Sequence, residues 1–347
     1  MDRKKLIESL SRLMPGLAKG DIVEHFSCFN IEGDTIRVTN GRLFMREKLE
    51  ENLGFRASVP GKIFYQFLTS VKQDTIQVTP SEGSLTLNCG KVDGKLLVKK
   101  LETAQKIFEA IEEPADSEWK PLPAGFVLGL KLCKFSCSDD LTIPVLTGVF
   151  VNGPLMFSCD RYRITKYECE ADTEMKCILP VSLIQELEKN SSHVDAYCIK
   201  NGMIFFRLWE GKVVLGSGLI DGSYPDLSSH FPELTGDEIV ELPVELSEAL
   251  DRQNLIQSEV MEIDRETEVV FSGKKISLHA KNKDVGEISE EIDFEAPPQY
   301  KSVKIRMNPV FFREVLDISR VMAYDEKNKS VVIVGDRLTH LVKTKVS

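Results

Sequence analysis

Cys159-Asp160-Arg161-Tyr162-Arg163-Ile164-Thr165 lies between an apolar run, Ile143-Pro-Val-Leu-Thr-Gly-Val-Phe-Val151, and a turn-rich segment, Leu219-Ile-Asp-Gly-Ser-Tyr-Pro-Asp226. A polar Asp-Arg-Tyr-Arg corner between two strand-like stretches has two uses. Its aromatic and guanidinium groups either bind a partner or brace a turn, Tyr162 as a buried tyrosine corner and Arg163 as a brace across a sheet. Which use applies depends on what the rest of the chain builds around it.

The chain has 347 residues, enough for two or three domains that each close a core without staples. Its 54 acidic residues exceed its 44 basic ones, a formal charge of −10, so any nucleic acid must meet basic residues segregated onto one face. Eight cysteines stand singly in apolar contexts such as Tyr197-Cys198-Ile199, without disulfide-framework or CxxC spacing. They read as buried thiols of a reducing compartment. No apolar run is long enough to span a membrane, and the amino terminus leads directly into an amphipathic pattern, so a cytoplasmic location is expected.

Residues 2–14 place Leu6, Leu10 and Leu13 on one helical stripe, and strand-like runs follow to Leu49. Val59-Pro60 opens a second helix that carries Ile63, Phe64 and Phe67 inward, and Thr75–Thr79 with Ser84–Cys89 form a hairpin. After an acidic, proline-containing linker at about 109–123 the same grammar restarts, and after a second linker near 232–241 it starts again. First-helix apolar sites fall at Leu6, Phe126 and Leu246 and at Leu10, Leu130 and Leu250. Second helices start at Pro60, Pro180 and Pro309, with Ile63, Leu183 and Phe312 three residues on and Phe67, Leu187 and Leu316 seven on. A period this long marks duplicated domains rather than solenoid units. The expected architecture is α+β: three tandem copies of a two-helix plus antiparallel-sheet domain, at 1–118, 119–236 and 237–347.

The succession IPVLTGV, CDRYRI, LIDGSYPD resembles the middle domain of the bacterial DNA polymerase III beta subunit family, the sliding clamps. The first domain is similar through VPGKIFYQFLTSV, and the third through VGEISEEIDFE and NPVFFREVLDIS. Asp160, Arg163 and Ile164 match the family's TDxHRL-like segment, while Cys159, Arg161 and Tyr162 replace its usual threonine, small residue and histidine. The resemblance implies a pocket formed by Leu146, Cys159, Asp160, Arg161, Tyr162, Arg163, Ile164, Pro225 and the tail residues Leu341 and Val346. Such a pocket receives a short linear motif from a DNA polymerase catalytic subunit or the clamp loader. An apolar slot with a few polar rims suits a peptide's leucine and aromatic anchors.

The same resemblance implies a non-catalytic processivity factor, a head-to-tail homodimeric ring around duplex DNA that reads no sequence. Sliding requires walls positive enough to tolerate phosphates yet weak enough to move. The helical stretches 2–14, 60–72 and 123–137 carry +2 each, and 180–190, 243–254 and 309–320 carry −1, −2 and 0, which leaves +3 in a chain of −10. Candidate phosphate contacts are Lys19, Lys62, Lys72, Lys131 and Lys134. The expected subunit edges are the strand at Leu96-Leu97-Val98 and the strand holding Ile276 and Leu278, whose pairing would extend one sheet across subunits.

No GxSxG, HExxH, P-loop or GxGxxG element stands at a strand-to-helix junction, and five histidines are spread singly, so neither a catalytic centre, a metal nor a cofactor is expected. Two rival readings stay open. One is a clamp-like scaffold with altered partners; the other is a metal-dependent nucleic-acid enzyme, for which no carboxylate constellation presents itself.

Overall fold

The computed structural model describes residues 1–20, 23–234 and 238–345. The first set of elements is α1 (Arg3–Leu13), β1 (Cys28–Glu32), β2 (Thr35–Thr39), β3 (Leu43–Lys48), β4 (Arg56–Pro60), α2 (Gly61–Ser70), β5 (Gln77–Ser81), β6 (Ser84–Cys89) and β7 (Val92–Leu97). Helix α3 (Leu101–Glu109) and strand β8 (Lys120–Pro121) lead into the second set. That set is α4 (Phe126–Lys134), β9 (Gly148–Asn152), β10 (Leu155–Cys159), β11 (Arg163–Glu168), β12 (Lys176–Pro180), α5 (Val181–Lys189), β13 (Val194–Lys200), β14 (Met203–Leu208) and β15 (Val213–Gly218). After β16 (Ile239–Glu241) comes the third set: α6 (Glu245–Ile256), β17 (Thr267–Ser272), β18 (Lys275–Asn282), β19 (Gly286–Asp293), β20 (Lys304–Met307), α7 (Pro309–Leu316), β21 (Val321–Asp325), β22 (Ser330–Val334) and β23 (Leu338–Lys343).

Each set is one helix, four strands, a second helix and three strands. The four strands repeat one antiparallel order: β4-β1-β2-β3, β12-β9-β10-β11 and β20-β17-β18-β19. Burial follows the repeat as well. Leu6, Phe126 and Leu246 are inside, as are Leu10, Leu130 and Leu250. This is the expected α+β architecture of three tandem copies.

Consecutive copies are stitched strand to strand. β3 pairs antiparallel with β15, and β11 with β23, which fuses half-sheets into two eight-stranded sheets. The chain accordingly forms two compact units, residues 1–128 with 179–220 and residues 129–178 with 221–347, and the middle copy is divided between them. The linkers pack onto these sheets. In the first unit Phe108, Ile111 and Trp119 cover Phe44, Phe205 and Val214, while Glu113 bonds to Arg46 at 2.5 Å and Arg37 at 3.3 Å. In the second unit Tyr224, Leu227 and Phe231 cover Phe157 and Cys159, and Leu234 covers Val332 and Leu341.

Three expectations need correction. Ile63 is 57% exposed, and the inward stripe of α2 is Gly61, Phe64 and Leu68. A β-carbon on Gly61 would lie 2.4 Å from Leu17 Cδ1, so the close approach of that backbone turns Ile63 outward. Helix α3 lies where only chain leading to a linker was expected, although Leu101, Ala104, Phe108 and Ile111 have helical spacing. Ile276 and Leu278 are buried on β18, which is hydrogen-bonded on both sides, to β17 and β19, and offers no edge. Their alternation marks a strand but cannot reveal its neighbours. The edges of that sheet are β19 and β20, and β7, which carries Leu96 and Leu97, is an edge strand of its own three-stranded sheet.

Gly216 of β15 opposes Phe205 on one side and Phe44 on the other, and those rings meet edge-on at 6.3 Å. A β-carbon there would come within 2.8 Å of Phe205. We therefore expect Gly216→Val to destabilise the protein by about 1–3 kcal/mol through overpacking, despite the strand preference of valine. Urea denaturation of the variant measures it, and an unchanged midpoint would contradict the packing.

Candidate functional site

The turn Asp160-Arg161-Tyr162 joins β10 to β11 and is built by one carboxylate. Asp160 Oδ1 accepts from the amides of Tyr162 at 3.1 Å and Arg163 at 3.0 Å, and Oδ2 accepts from Arg163 Nε at 2.7 Å. The equivalent turn of the first copy has the same form, with Asn40 Oδ1 accepting from the amides of Arg42 and Leu43 at 2.9 Å each. Gly41 holds the left-handed position there at φ 83°, and Arg161 holds it here at φ 77°.

From this turn the side chains separate by strand alternation. Ile164 faces the linker side, with Cys159 directly opposite on β10 and Leu341 opposite on β23. Leu146, Cys159 and Ile164 join Phe157, Tyr224 and Leu227 in one apolar cluster, in which Tyr224 stacks on Phe150 at 5.1 Å and its hydroxyl meets Cys159 Sγ at 3.8 Å. Gly222 lets the turn-rich segment approach, since a β-carbon there would lie 2.5 Å from Val145. The three stretches singled out in the sequence thus meet. Pro225 is exposed at the rim, Leu341 packs with Ala323, Val332 and Leu234, and Val346 lies outside the described residues.

Arg163 points to the other face. Its side chain is 8% exposed, it donates to Asp160 and Glu314, and it lies 4.2 Å from the Phe311 ring centroid and 5.6 Å from that of Phe135. This is a brace from β11 to α7, so Arg163 matches the sheet-bracing alternative. Tyr162 is 41% exposed and inclines toward Phe311 at 6.2 Å, not a buried corner. Phe311 and Glu314 were missed because they come from the other end of the chain. Phe311 and Phe312 are both buried in the core of the third copy, so the apolar pattern of α7 carried no separate signal for the contact with Arg163.

Behind Arg163 runs a buried polar line, Ser136 Oγ to Thr165 Oγ1 at 2.7 Å and Thr165 Oγ1 to His340 Nδ1 at 2.8 Å. Burial, with the charge of Arg163, pushes the His340 pKa down to about 3. Burial likewise raises the thiols of Cys169 to about 11 and Cys177 to about 12, so neither is a nucleophile at neutral pH. Among the described residues no group of three or more His, Cys, Asp or Glu is placed to hold a metal, and no helix is long and apolar enough to cross a membrane.

The basic residues of α1 are largely committed. Arg3 donates to the carbonyls of Gln73 at 2.5 Å and Leu68 at 3.0 Å, Lys4 pairs with Asp74, Lys5 with Glu50 and Arg12 with Glu47. The +2 expected of that helix is therefore neutralised in place. Lys19, Lys62 and Lys72 are exposed and form no ion pair among the described residues. Leu17 packs on Gly61, which brings the segments bearing Lys19 and Lys62 together. On α4, Lys131 is exposed and Lys134 half-buried, each engaged in an interaction of its own.

Two outcomes are expected. Arg163→Met should cost about 3 kcal/mol, since it strands the largely buried carboxylate of Asp160, 12% exposed; Glu314, which is 41% exposed, recovers water. A loss below about 1 kcal/mol in denaturant titration would contradict the brace. Because the His340 pKa is depressed from 6.5, its contribution is complete above pH 6.5, declines as pH falls below that value and is lost by about pH 3. His340→Gln should therefore remove about 1.4 kcal/mol per pH unit of slope between pH 6 and 4, relative to the unsubstituted chain. Parallel stability curves for the two proteins would refute it.

No family model matches the chain. Its sequence is 27% identical to the beta sliding clamp of Staphylococcus aureus over 229 residues, 61% of this chain and 56% of that relative's length. It is 27% identical to the beta sliding clamp of Bacillus subtilis over 173 residues, 46% and 44% of the two lengths. The chain thus matches about half the length of these relatives. The folds agree throughout: the DNA polymerase III beta chain of Streptococcus pneumoniae superposes with a TM-score of 0.86 at 16% identity, covering 100% of this chain and 98% of that one. The Streptococcus pyogenes beta subunit gives 0.84 at 17% identity with 100% and 99% covered. The Bartonella birtlesii sliding clamp, solved bound to griselimycin, gives 0.82 at 19% with 100% and 98% covered. A sequence far diverged from theirs therefore carries, over its whole length, the fold of the DNA polymerase III beta subunits.

Proposed function

We propose that this chain is a DNA polymerase processivity clamp, three clamp domains at 1–118, 119–236 and 237–347 that dimerise head to tail into a ring around duplex DNA. The observation that carries the reading is the pair of unsatisfied ends. Each internal seam joins the outer strand of one four-stranded sheet to the last strand of the next copy, β3 to β15 and β11 to β23. Among the described residues that rule leaves one strand of each kind without its seam partner, β19 in the last copy and β7 in the first. A chain with complementary free ends closes on a second copy.

The ring performs no chemistry and tethers a polymerase by topology. Lys19, Lys62 and Lys72 meet phosphates, with Lys131 and Lys134 supporting them, and the contacts are few because a sliding ring needs weak ones. A short linear motif from a polymerase or a loader docks on the linker side of the turn, at Ile164 and Pro225, with the exposed Tyr162 at its edge. The rim differs from the family pattern. Arg161 keeps a side chain in a left-handed conformation that glycine adopts without strain, and its guanidinium pairs with Asp140 at 3.1 Å. This favours a partner motif of altered sequence.

Assembled around a nicked circular plasmid by subunit exchange from dilute protein, the dimer should stay with the circle through gel filtration and leave once the plasmid is cut. Release from circular and linear DNA alike would overturn encirclement. Lys19→Glu with Lys62→Glu should lower the slope of log retention against log salt by about 2, at roughly 0.9 per phosphate contact.

A further inference from the structure

The internal repeat fixes more than which edges meet. We infer from it the register in which β19 of one chain pairs with β7 of a second copy, an inference that rests on the ring reading above.

Equivalent positions can be read from the ladders themselves. Ile36, Met156 and Ile276 stand at matching places in the three copies, and each opposes one residue on the neighbouring outer strand: Glu47, Tyr167 and Ile292. Across the first seam Glu47 faces Val213, and across the second Tyr167 faces Leu338. Val213 and Leu338 each open the last strand of their copy, and the residue that opens it in the first copy is Val92. Ile292 therefore faces Val92 of the second chain. The antiparallel ladder then sets Glu291 against Asp93, Glu290 against Gly94, Ser289 against Lys95 and Ile288 against Leu96.

Exposure agrees with this assignment. Val213 and Leu338 are buried at 0% and 2% where their strands are paired, whereas Val92 on the free edge is 42% exposed. Ile292 is already 7% exposed, like Glu47 at 1% and Tyr167 at 3%, so the partner strand would complete an existing face. That face takes the apolar pairs Ile288–Leu96 and Ile292–Val92. On the opposite face Lys91 and Lys95 fall beside Glu291 and Asp293, so the one like-charged pair, Glu291 with Asp93, is flanked by lysines. Each of those acids also has a partner within its own chain, Lys275 for Glu291 and Asn88 for Asp93 at 2.6 Å. A slip of one residue would turn Ile288 and Ile292 to the wrong face.

The test is thiol cross-linking with a short bis-maleimide. Three double variants are compared, Ser289→Cys with Lys95→Cys, with Asp93→Cys and with Leu97→Cys, against the single variants; the altered positions are all exposed. The inferred register requires the Lys95 pair to give the highest yield of covalent dimer, at twice 39.1 kDa on a denaturing gel. Highest yield from the Asp93 or Leu97 pair overturns the register and leaves the ring standing. No covalent dimer from any pair, while sedimentation of the same samples shows a dimer, overturns pairing through these edges. A monomer at every concentration removes the ring reading itself.

Discussion

The pairing of β3 with β15 and of β11 with β23 joins consecutive copies through main-chain amides and carbonyls. It therefore demands of the sequence only that apolar residues alternate and that no proline interrupts the ladder. Side chains enter where the linkers cover the sheets, Phe108 and Trp119 over one, Tyr224, Phe231 and Leu234 over the other. This explains how the fold persists where identity to solved relatives is 16–19%. A ladder of peptide groups is indifferent to most substitutions, and cover by large apolar side chains tolerates exchange of one for another.

The two seams are not locked alike. At β11–β23 the lock is a buried cation, Arg163, held between two carboxylates and two rings, with the Ser136–Thr165–His340 line behind it. At β3–β15 the corresponding position is Leu43, and Gly216 receives two phenyl rings. A buried charge is a poor source of stability compared with apolar packing. Its retention at one seam only fits the reading in which that seam also borders a partner surface and needs a fixed geometry.

Much of this was legible in the sequence, and the failures have a common cause. The copies were visible because Leu6, Phe126 and Leu246 recur at helical spacing, and the meeting of the Leu146, Ile164 and Tyr224 stretches follows from the family resemblance. The misplaced features all depend on a neighbour remote in the chain. Ile63 turns outward because Leu17 packs on Gly61, Arg163 is satisfied by a carboxylate 151 residues away, and Ile276 is interior because β19 lies outside it. Periodicity reports which face of an element is buried and says nothing of what buries it. The charges of α1 show the same limit, since Asp74, Glu50 and Glu47 neutralise lysines and arginines that a count along the helix treats as free.

In the proposed ring, encirclement and partner capture place separable demands on the chain. Encirclement depends on complementary edges and a few weak phosphate contacts, and neither requires a particular residue at the Asp160–Ile164 turn. Partner capture depends on that turn, where Arg161 and Tyr162 depart from the family pattern while Asp160 and Arg163 keep the backbone in place. The brace is therefore what allows the rim to change. With the turn pinned by one carboxylate and one guanidinium, the two residues between them alter what the surface recognises without disturbing the seam beneath it.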